Sequence, residues 1–334
     1  MIKRNLRPLL FAAFLLFFAL FMGAPAMISH AATASQAECV VEVSSLRLLH
    51  EKCAEMRLPM ASTTKVLTAI MIIDDCNLDE TITIPKQAEG VEGSSVYLRA
   101  GDEYTVRDLL YGLMLRSGND CAVALALHHS GSVESFAEAM TAKAVLLGAE
   151  NSHFTNPHGL PDENHYTTAR DLALITAYAM KNDTFREIVS CKFYEPKGWK
   201  NKNRMLWEFE GAIGVKTGFT VRAGRCLVSS AERDGMTLVS VVLNSPDMFE
   251  RSKELLNQAF SRYSMVQLCD SSLGFEGYRI FEDFSYPLTE EERGKIDIRS
   301  ISTMPLPEVQ GNFAGQMMIY LGNDLLFSQN LYIV

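Results

Sequence analysis

Pro59-Met60-Ala61-Ser62-Thr63-Thr64-Lys65 runs into an apolar-periodic stretch, and the pattern predicts a helix from Ser62 to Ile73 opened by a hydroxyl residue. Three-residue spacing puts the Ser62 hydroxyl and the Lys65 amine on one face, one turn apart. An amine so placed can take the hydroxyl proton. A free lysine has a pKa near 10.4, so acting as a base near neutral pH needs a downward shift of about three units. That is about 4 kcal/mol, supplied by desolvation and a second cation nearby. Alone, S-x-x-K is a weak signal, since a helix cap followed by a surface lysine gives the same letters. Its company in the rest of the chain decides what it means.

Upstream of this segment, Cys39 to Val43 and Leu46 to His50 are strand-like runs around Ser44-Ser45, as for a hairpin. Downstream, Thr105-Val106-Arg107-Asp108 and Thr168-Ala169-Arg170-Asp171 read as capping-box helix starts, and Gly131-Ser132 opens another helix to about Leu147. Leu109 to about Met180 is mainly helical in pattern. Strand character returns in Gly214 to Lys216, Cys226 to Glu232 and Met236 to Leu243, and Glu250 to Tyr263 is an amphipathic helix. Strands at both ends with helices between predict an α/β fold whose sheet brings the two ends together. After about Val266 the pattern changes to short alternating strands, Tyr278 to Phe281, Lys295 to Ile301 and Gln316 to Leu321, with Gly322-Asn323-Asp324 as a turn before a last strand.

The front of the chain reads as an export signal. Lys3, Arg4 and Arg7 precede an apolar run from Pro8 to Gly23, and Ala32-Thr33-Ala34 offers small residues for cleavage, with Ala31 or Ala26 as other cut points. An uncleaved anchor is the alternative, because Pro8 to Ile28 is close to the length that spans a bilayer. Either way the remainder is expected outside the cytoplasm. Gln329 to Val334 alternates like a strand and lacks the Lys/Arg-bordered face of an interfacial helix, so release after cleavage is the expectation. Of 31 basic residues three lie in the first 34, and none of the 40 acidic ones do, leaving 28 − 40 = −12 for the rest. So acidic a body is unsuited to nucleic acid, whose phosphates require clustered Lys and Arg. Seven cysteines are scattered without a C-x-x-C pair, so neither a zinc ribbon nor a thioredoxin-like site is indicated. Cys121 and Cys226 sit in apolar surroundings as core residues, and Cys39 with Cys53 is the one pair a hairpin would bring together.

Two more short motifs follow Ser62 and Lys65. Ser117-Gly118-Asn119 comes after the helix predicted from Thr105 to Arg116, and Lys216-Thr217-Gly218 ends a strand-like run. The set S-x-x-K, S-x-N and K-T-G, in this order on helix, loop and strand, is similar to that of penicillin-binding proteins and class A β-lactamases. The likeness extends through Leu113 to Asp120, Asn156-Pro157-His158-Gly159-Leu160 into Asn164-His165-Tyr166-Thr167-Thr168, Gly214 to Gly218 and Ala223-Gly224. From about Glu38 to Tyr263 the chain resembles the low-molecular-mass D-alanyl-D-alanine carboxypeptidases. The resemblance implies a penicillin-recognising, β-lactamase-like α/β domain, an antiparallel sheet with a helical lobe and the active site in the cleft between them. A small all-β domain follows. The implied organisation is a signal peptide over 1–34, a catalytic domain over 35–264 and a β-sandwich-like domain over 265–334.

The same resemblance implies a serine-type carboxypeptidase that trims peptidoglycan stems ending in D-Ala-D-Ala and that β-lactams inhibit covalently. Ser62 would form the acyl-enzyme, Lys65 would be its base and Ser117 would pass a proton to the leaving amine. Asn119 would hold the peptide amide, and Lys216, Thr217 and Gly218 would form the substrate-binding strand, the first two taking the terminal carboxylate. Backbone N–H groups of Ser62 and of the residue after Gly218 would hold the oxyanion. No metal or cofactor is needed. The family often has Arg beginning an R-F-x-x-x-K stretch, but here Met248-Phe249-Glu250-Arg251-Ser252-Lys253 begins with Met, and Arg222 and Arg225 are the candidate substitutes. Three rival readings remain: a zinc carboxypeptidase using His153, His158 and His165 with Asp162 and Glu163, although no H-E-x-x-H occurs; a serine β-lactamase deacylated by Glu163; and a non-catalytic penicillin-binding scaffold.

Overall fold

The computed structural model describes residues 35–304 and 309–334, so the expected export signal lies outside the described residues. Ser35 to Val334 form one compact unit. In chain order the elements that build the site are β1 (Ala37–Glu42), β2 (Leu48–Lys52), α1 (Lys65–Asp75), α2 (Val106–Tyr111), α3 (Asn119–Ser130), α4 (Val133–Leu146), α5 (Ala169–Ala179), α6 (Asp183–Ser190), β3 (Ala212–Thr220), β4 (Gly224–Arg233), β5 (Met236–Leu243) and α7 (Met248–Arg262). The five strands form one sheet in the order β2-β1-β5-β4-β3, every pair antiparallel. Both ends of this body thus meet in the middle of the sheet, as the pattern predicts. Among the described residues no helix is long and apolar enough to cross a membrane.

Alternation assigns the two faces. Cys39, Val41, Val215, Cys226, Val228, Val239 and Val241 point into the large core shared with the helical lobe, while Val40, Leu227, Ala231, Leu238 and Val242 face α7. Strands buried on both faces must be apolar nearly throughout, which is why β5 is so rich in Val and Leu. Helix α7 contributes Met248, Leu255, Leu256 and Ala259 to that second core, the larger three each worth roughly 1.5–3 kcal/mol of burial. On the other face α5 lies across β1 and β5, and α1 packs behind it.

Helix starts follow their hydroxyls. Thr105, Ser132 and Thr168 each accept from the N–H three residues on, satisfying one unpaired first-turn donor. At Thr105 and Thr168 the reciprocal half of the capping box does not form, because Asp is a methylene shorter than Glu and finds other partners. Asp108 accepts from the Tyr194 hydroxyl at 2.7 Å and pairs with Lys197. Asp171 accepts from Asn151 N and Ser152 Oγ. The hairpin strand β2 starts at Leu48, two residues later than predicted, because the Glu42 carboxylate gathers Ser44 and Ser45 into the turn. That register sets Glu51, not Cys53, opposite Cys39. Both thiols are free, and the expected pairing is corrected.

Beyond α7, β6 (Ser264–Cys269) pairs with β8 (Phe284–Leu288), and β7 (Tyr278–Arg279), β9 (Ile296–Ser302), β10 (Phe313–Leu321) and β11 (Asp324–Ile333) form a curled sheet in the order β7-β11-β10-β9. It has a core of its own, with Cys269, Ile280, Met317, Ile319 and Leu331 inside and Phe284 stacked on Phe327 at 4.5 Å. Arg47, in the β1–β2 turn, joins it to the larger body. Its guanidinium lies 5.1 Å from both the Tyr263 and the Tyr286 ring centroids, donates to Pro287 O, and pairs with Glu292.

Candidate active site

Ser62 sits in a 3₁₀ turn, Ala61–Thr64, and α1 begins only at Lys65. The predicted helix is therefore tighter at its start. Thr63 Oγ1 donates to Met60 O at 2.6 Å and Thr64 Oγ1 to Ala61 O at 2.9 Å, so hydroxyls draw the turn inward. In a 3₁₀ turn residues i and i+3 eclipse, which brings Lys65 Nζ to 3.0 Å from Ser62 Oγ. Ala61, just before the serine, has φ +50°, a left-handed conformation costing an L-residue roughly 1–2 kcal/mol.

Lys65 is fully buried. Besides Ser62 its amine reaches Asn119 Oδ1 and His158 O, each at 2.7 Å. Burial, and after it the charge of Lys216, holds its pKa well below the ordinary lysine value. A neutral amine has two N–H bonds and one lone pair. With the hydrogens given to Asn119 Oδ1 and His158 O, the lone pair is left for the Ser62 hydroxyl.

Lys216 lies on β3 and is 2% exposed. Its Nζ donates to Thr217 O at 2.9 Å, and burial, followed by the charge of Lys202, brings its pKa down to about 7. Gly218 lets β3 approach the serine turn. A Cβ there would stand 3.1 Å from both Met60 O and Ser62 N, so a side chain would press on the N–H expected to face an oxyanion.

Ser117 follows a π-helical turn, Gly112–Arg116, that interrupts the predicted continuous helix from Thr105. Its φ is +66° and it is nearly buried. Ser62, Lys65 and Asn119 are thus in direct contact, Gly218 is packed on the Ser62 backbone, and Ser117 adjoins Asn119 across Gly118. Two contacts had no sequence signal. One is the His158 carbonyl, since a backbone acceptor is the same in every residue; the other is the Glu92 carbonyl, which accepts from Asn119 Nδ2 at 2.6 Å.

The segment around His158 is held against the serine turn. Thr68 Oγ1 donates to Pro157 O at 2.7 Å, and Asn156 Oδ1 accepts from Gly159 N at 2.7 Å. Thr155 N donates to His165 Nδ1, so Nε2 carries the proton it shares with Thr64 Oγ1 at 2.8 Å. Burial pushes the His158 and His165 rings down to about 3 and about 4. His153 is engaged with Asn164 O, Asp162 caps Asn164 N, and Glu163 is exposed. Among the described residues no group of three or more His, Cys, Asp or Glu is gathered as for a metal.

Met248, where the family often has Arg, is a core side chain beneath α7. Arg251 is also committed elsewhere. Its fork meets both oxygens of buried Glu38 at 2.8 Å. Burial works against the Glu38 carboxylate, but hydrogen bonds from His50 and Arg251 hold it at about 2. Of the two substitutes, Arg222 is exposed and Arg225 lies 5.9 Å from the Phe219 ring centroid.

An antiparallel sheet between one helix and a helical lobe, with the Ser62–Lys65 pair where sheet and lobe meet, defines the class of penicillin-recognising proteins. A family model described as D-alanyl-D-alanine carboxypeptidase matches residues 24–247, and the chain belongs to that family, Peptidase S11. It is 39% identical over 240 residues to the D-alanyl-D-alanine carboxypeptidase of Streptomyces sp. (strain K15), covering 64% of this chain and 82% of that one. To DacF of Bacillus subtilis (strain 168) it is 33% identical, covering 70% of this chain and 64% of that protein. The crystal structure of penicillin binding protein 5 from Haemophilus influenzae superposes with a TM-score of 0.77 at 27% identity, covering 90% of this chain and 96% of that one.

Proposed function

We propose that this protein is a serine-type D-alanyl-D-alanine carboxypeptidase that removes the terminal D-alanine from peptidoglycan pentapeptide stems through an acyl-enzyme on Ser62. The observation that carries the reading is the buried amine of Lys65, 3.0 Å from a partly exposed serine hydroxyl. Lys65 takes the Ser62 proton as Oγ attacks the carbonyl between the two D-alanines. Ser117 relays a proton to the departing D-alanine amine, and water then releases the shortened stem. Asn119 holds the substrate amide, and Lys216 with Thr217 takes its terminal carboxylate, whose charge favours the protonated form of Lys216. N–H groups of Ser62 and of Phe219 hold the oxyanion.

A β-lactam would enter by the same attack. Rapid deacylation by Glu163 finds no support, because that side chain is exposed and tied to nothing at the serine. The apolar leader and the wall substrate together favour action outside the cytoplasm. The test is release of D-alanine from a peptide ending in D-Ala-D-Ala, with Ser62→Ala alongside. Release that survives in the variant refutes the assignment, whereas a scaffold would release none in either form.

The pH dependence follows from the two lysines. With the Lys216 charge gone, protonated Lys65 loses a repulsion and its pKa rises, so a higher pH is needed to free the base. The acid limb of acylation in Lys216→Ala should move upward in pH. A limb at the wild-type position would contradict the repulsion.

A further inference from the structure

Asp120, in the first turn of α3, is 1% exposed, and among the described residues no basic side chain pairs with its carboxylate. Burying a carboxylate without a cation is costly unless donors surround it. Its donors are neutral and mostly come from one segment. Ser95 Oγ donates to Oδ2 at 2.6 Å, Val96 N at 3.0 Å and Leu98 N at 3.1 Å, while Cys121 N donates to Oδ1 at 3.0 Å. The same segment touches Asn119 twice. Asn119 N donates to Ser94 O at 2.7 Å, and Asn119 Nδ2 to Glu92 O at 2.6 Å. Gly93 makes this approach possible: its φ is +92°, and a Cβ there would stand 2.7 Å from Asn119 Nδ2.

We propose that Asp120 is a positioning residue for acylation: its carboxylate pins residues 92–98 to the start of α3, and the pinned Glu92 carbonyl fixes which end of the Asn119 amide faces Lys65. An amide has a donor end and an acceptor end. In the fixed orientation Oδ1 takes one Lys65 hydrogen. Reversed, Nδ2 would donate to the lone pair that Ser62 needs, so loss of the pin disarms the base without removing it. The inference rests on the reading of Ser62 and Lys65 given above. Nothing in the spacing of Asp120 announces it, because all but one of its donors, Cys121 N, lie more than twenty residues upstream.

The test is a double-mutant cycle on acylation by a fluorescent penicillin, resolving the binding constant from the first-order acylation rate. Asp120→Asn should slow acylation at least tenfold while changing binding less than about threefold. Combined with Asn119→Ala, it should add no more than twofold to the loss from Asn119→Ala alone, since the pin acts through that amide. Ser95→Ala, which removes one donor and leaves the charge, should slow acylation severalfold with the same non-additivity, and it decides the matter if Asp120→Asn does not fold. Losses that multiply in the double variants, or single variants acylated within twofold of wild type, overturn the proposal. A wild-type protein that takes no penicillin would instead overturn the reading of Ser62.

Discussion

Incubated with a penicillin, the wild-type protein should gain the full mass of the drug on the peptide containing Ser62, and Lys65→Met should slow that reaction roughly 10²–10⁴-fold, the range expected for a positioned general base. Methionine is the informative replacement. It fills most of the volume of a side chain that is entirely buried, so the fold should persist while the lone pair is gone. Circular dichroism checks the fold and mass spectrometry the adduct. Label on Ser117, or an unchanged rate in Lys65→Met, would remove the base and nucleophile assignments separately.

Gly159→Ala should be nearly as damaging although glycine has no side chain to offer the substrate. The residue has φ +89°, and an added Cβ would fall 1.9 Å from Ala61 O. Left-handed strain costs roughly 1–2 kcal/mol, but the overlap is the larger effect, because Ala61 precedes the nucleophile and cannot recede without carrying Ser62 with it. Displacing the 156–160 segment instead withdraws the His158 carbonyl from Lys65 and Pro157 O from Thr68. We expect a loss of about 3 kcal/mol in stability and at least a hundredfold in acylation. Gly148→Ala is the control. Its φ is +81° with open space around it, so it should cost only the strain and keep full acylation. Equal behaviour of the two variants would disprove the contact.

Where local chemistry decides structure, the sequence was readable. Thr105, Ser132 and Thr168 start helices through their own side chains, and β4 and β5 announce themselves because strands buried on both faces are largely apolar. The order of the three motifs singles out Ser62, Lys65, Asn119 and Lys216, and the fold brings Lys65 into contact with Ser62 and Asn119. What stayed hidden depends on distant partners. The 3₁₀ turn at Ser62 looks helical in pattern, and only the back-bonding of two threonine hydroxyls tightens it. Helix α6, capped by Asn182, gives a short signal because its eight residues make barely two turns. The pairing of Arg251 with Glu38 is hidden because the two lie more than two hundred residues apart and meet only when β1 enters the sheet.

The Arg47 contacts bear on how the chain can be divided. All the groups assigned to chemistry lie before Tyr263, so a fragment ending there would keep the whole reaction centre. It would also keep a guanidinium stripped of Glu292, Pro287 O and the Tyr286 ring, left against one remaining aromatic face at the turn that feeds β1 and β2. Those strands form one side of the sheet that carries Lys216. The fragment that keeps the proposed reaction centre is therefore a poor unit for handling in isolation, and a cut at Tyr263 made for crystallisation or display is better paired with a neutral residue at position 47.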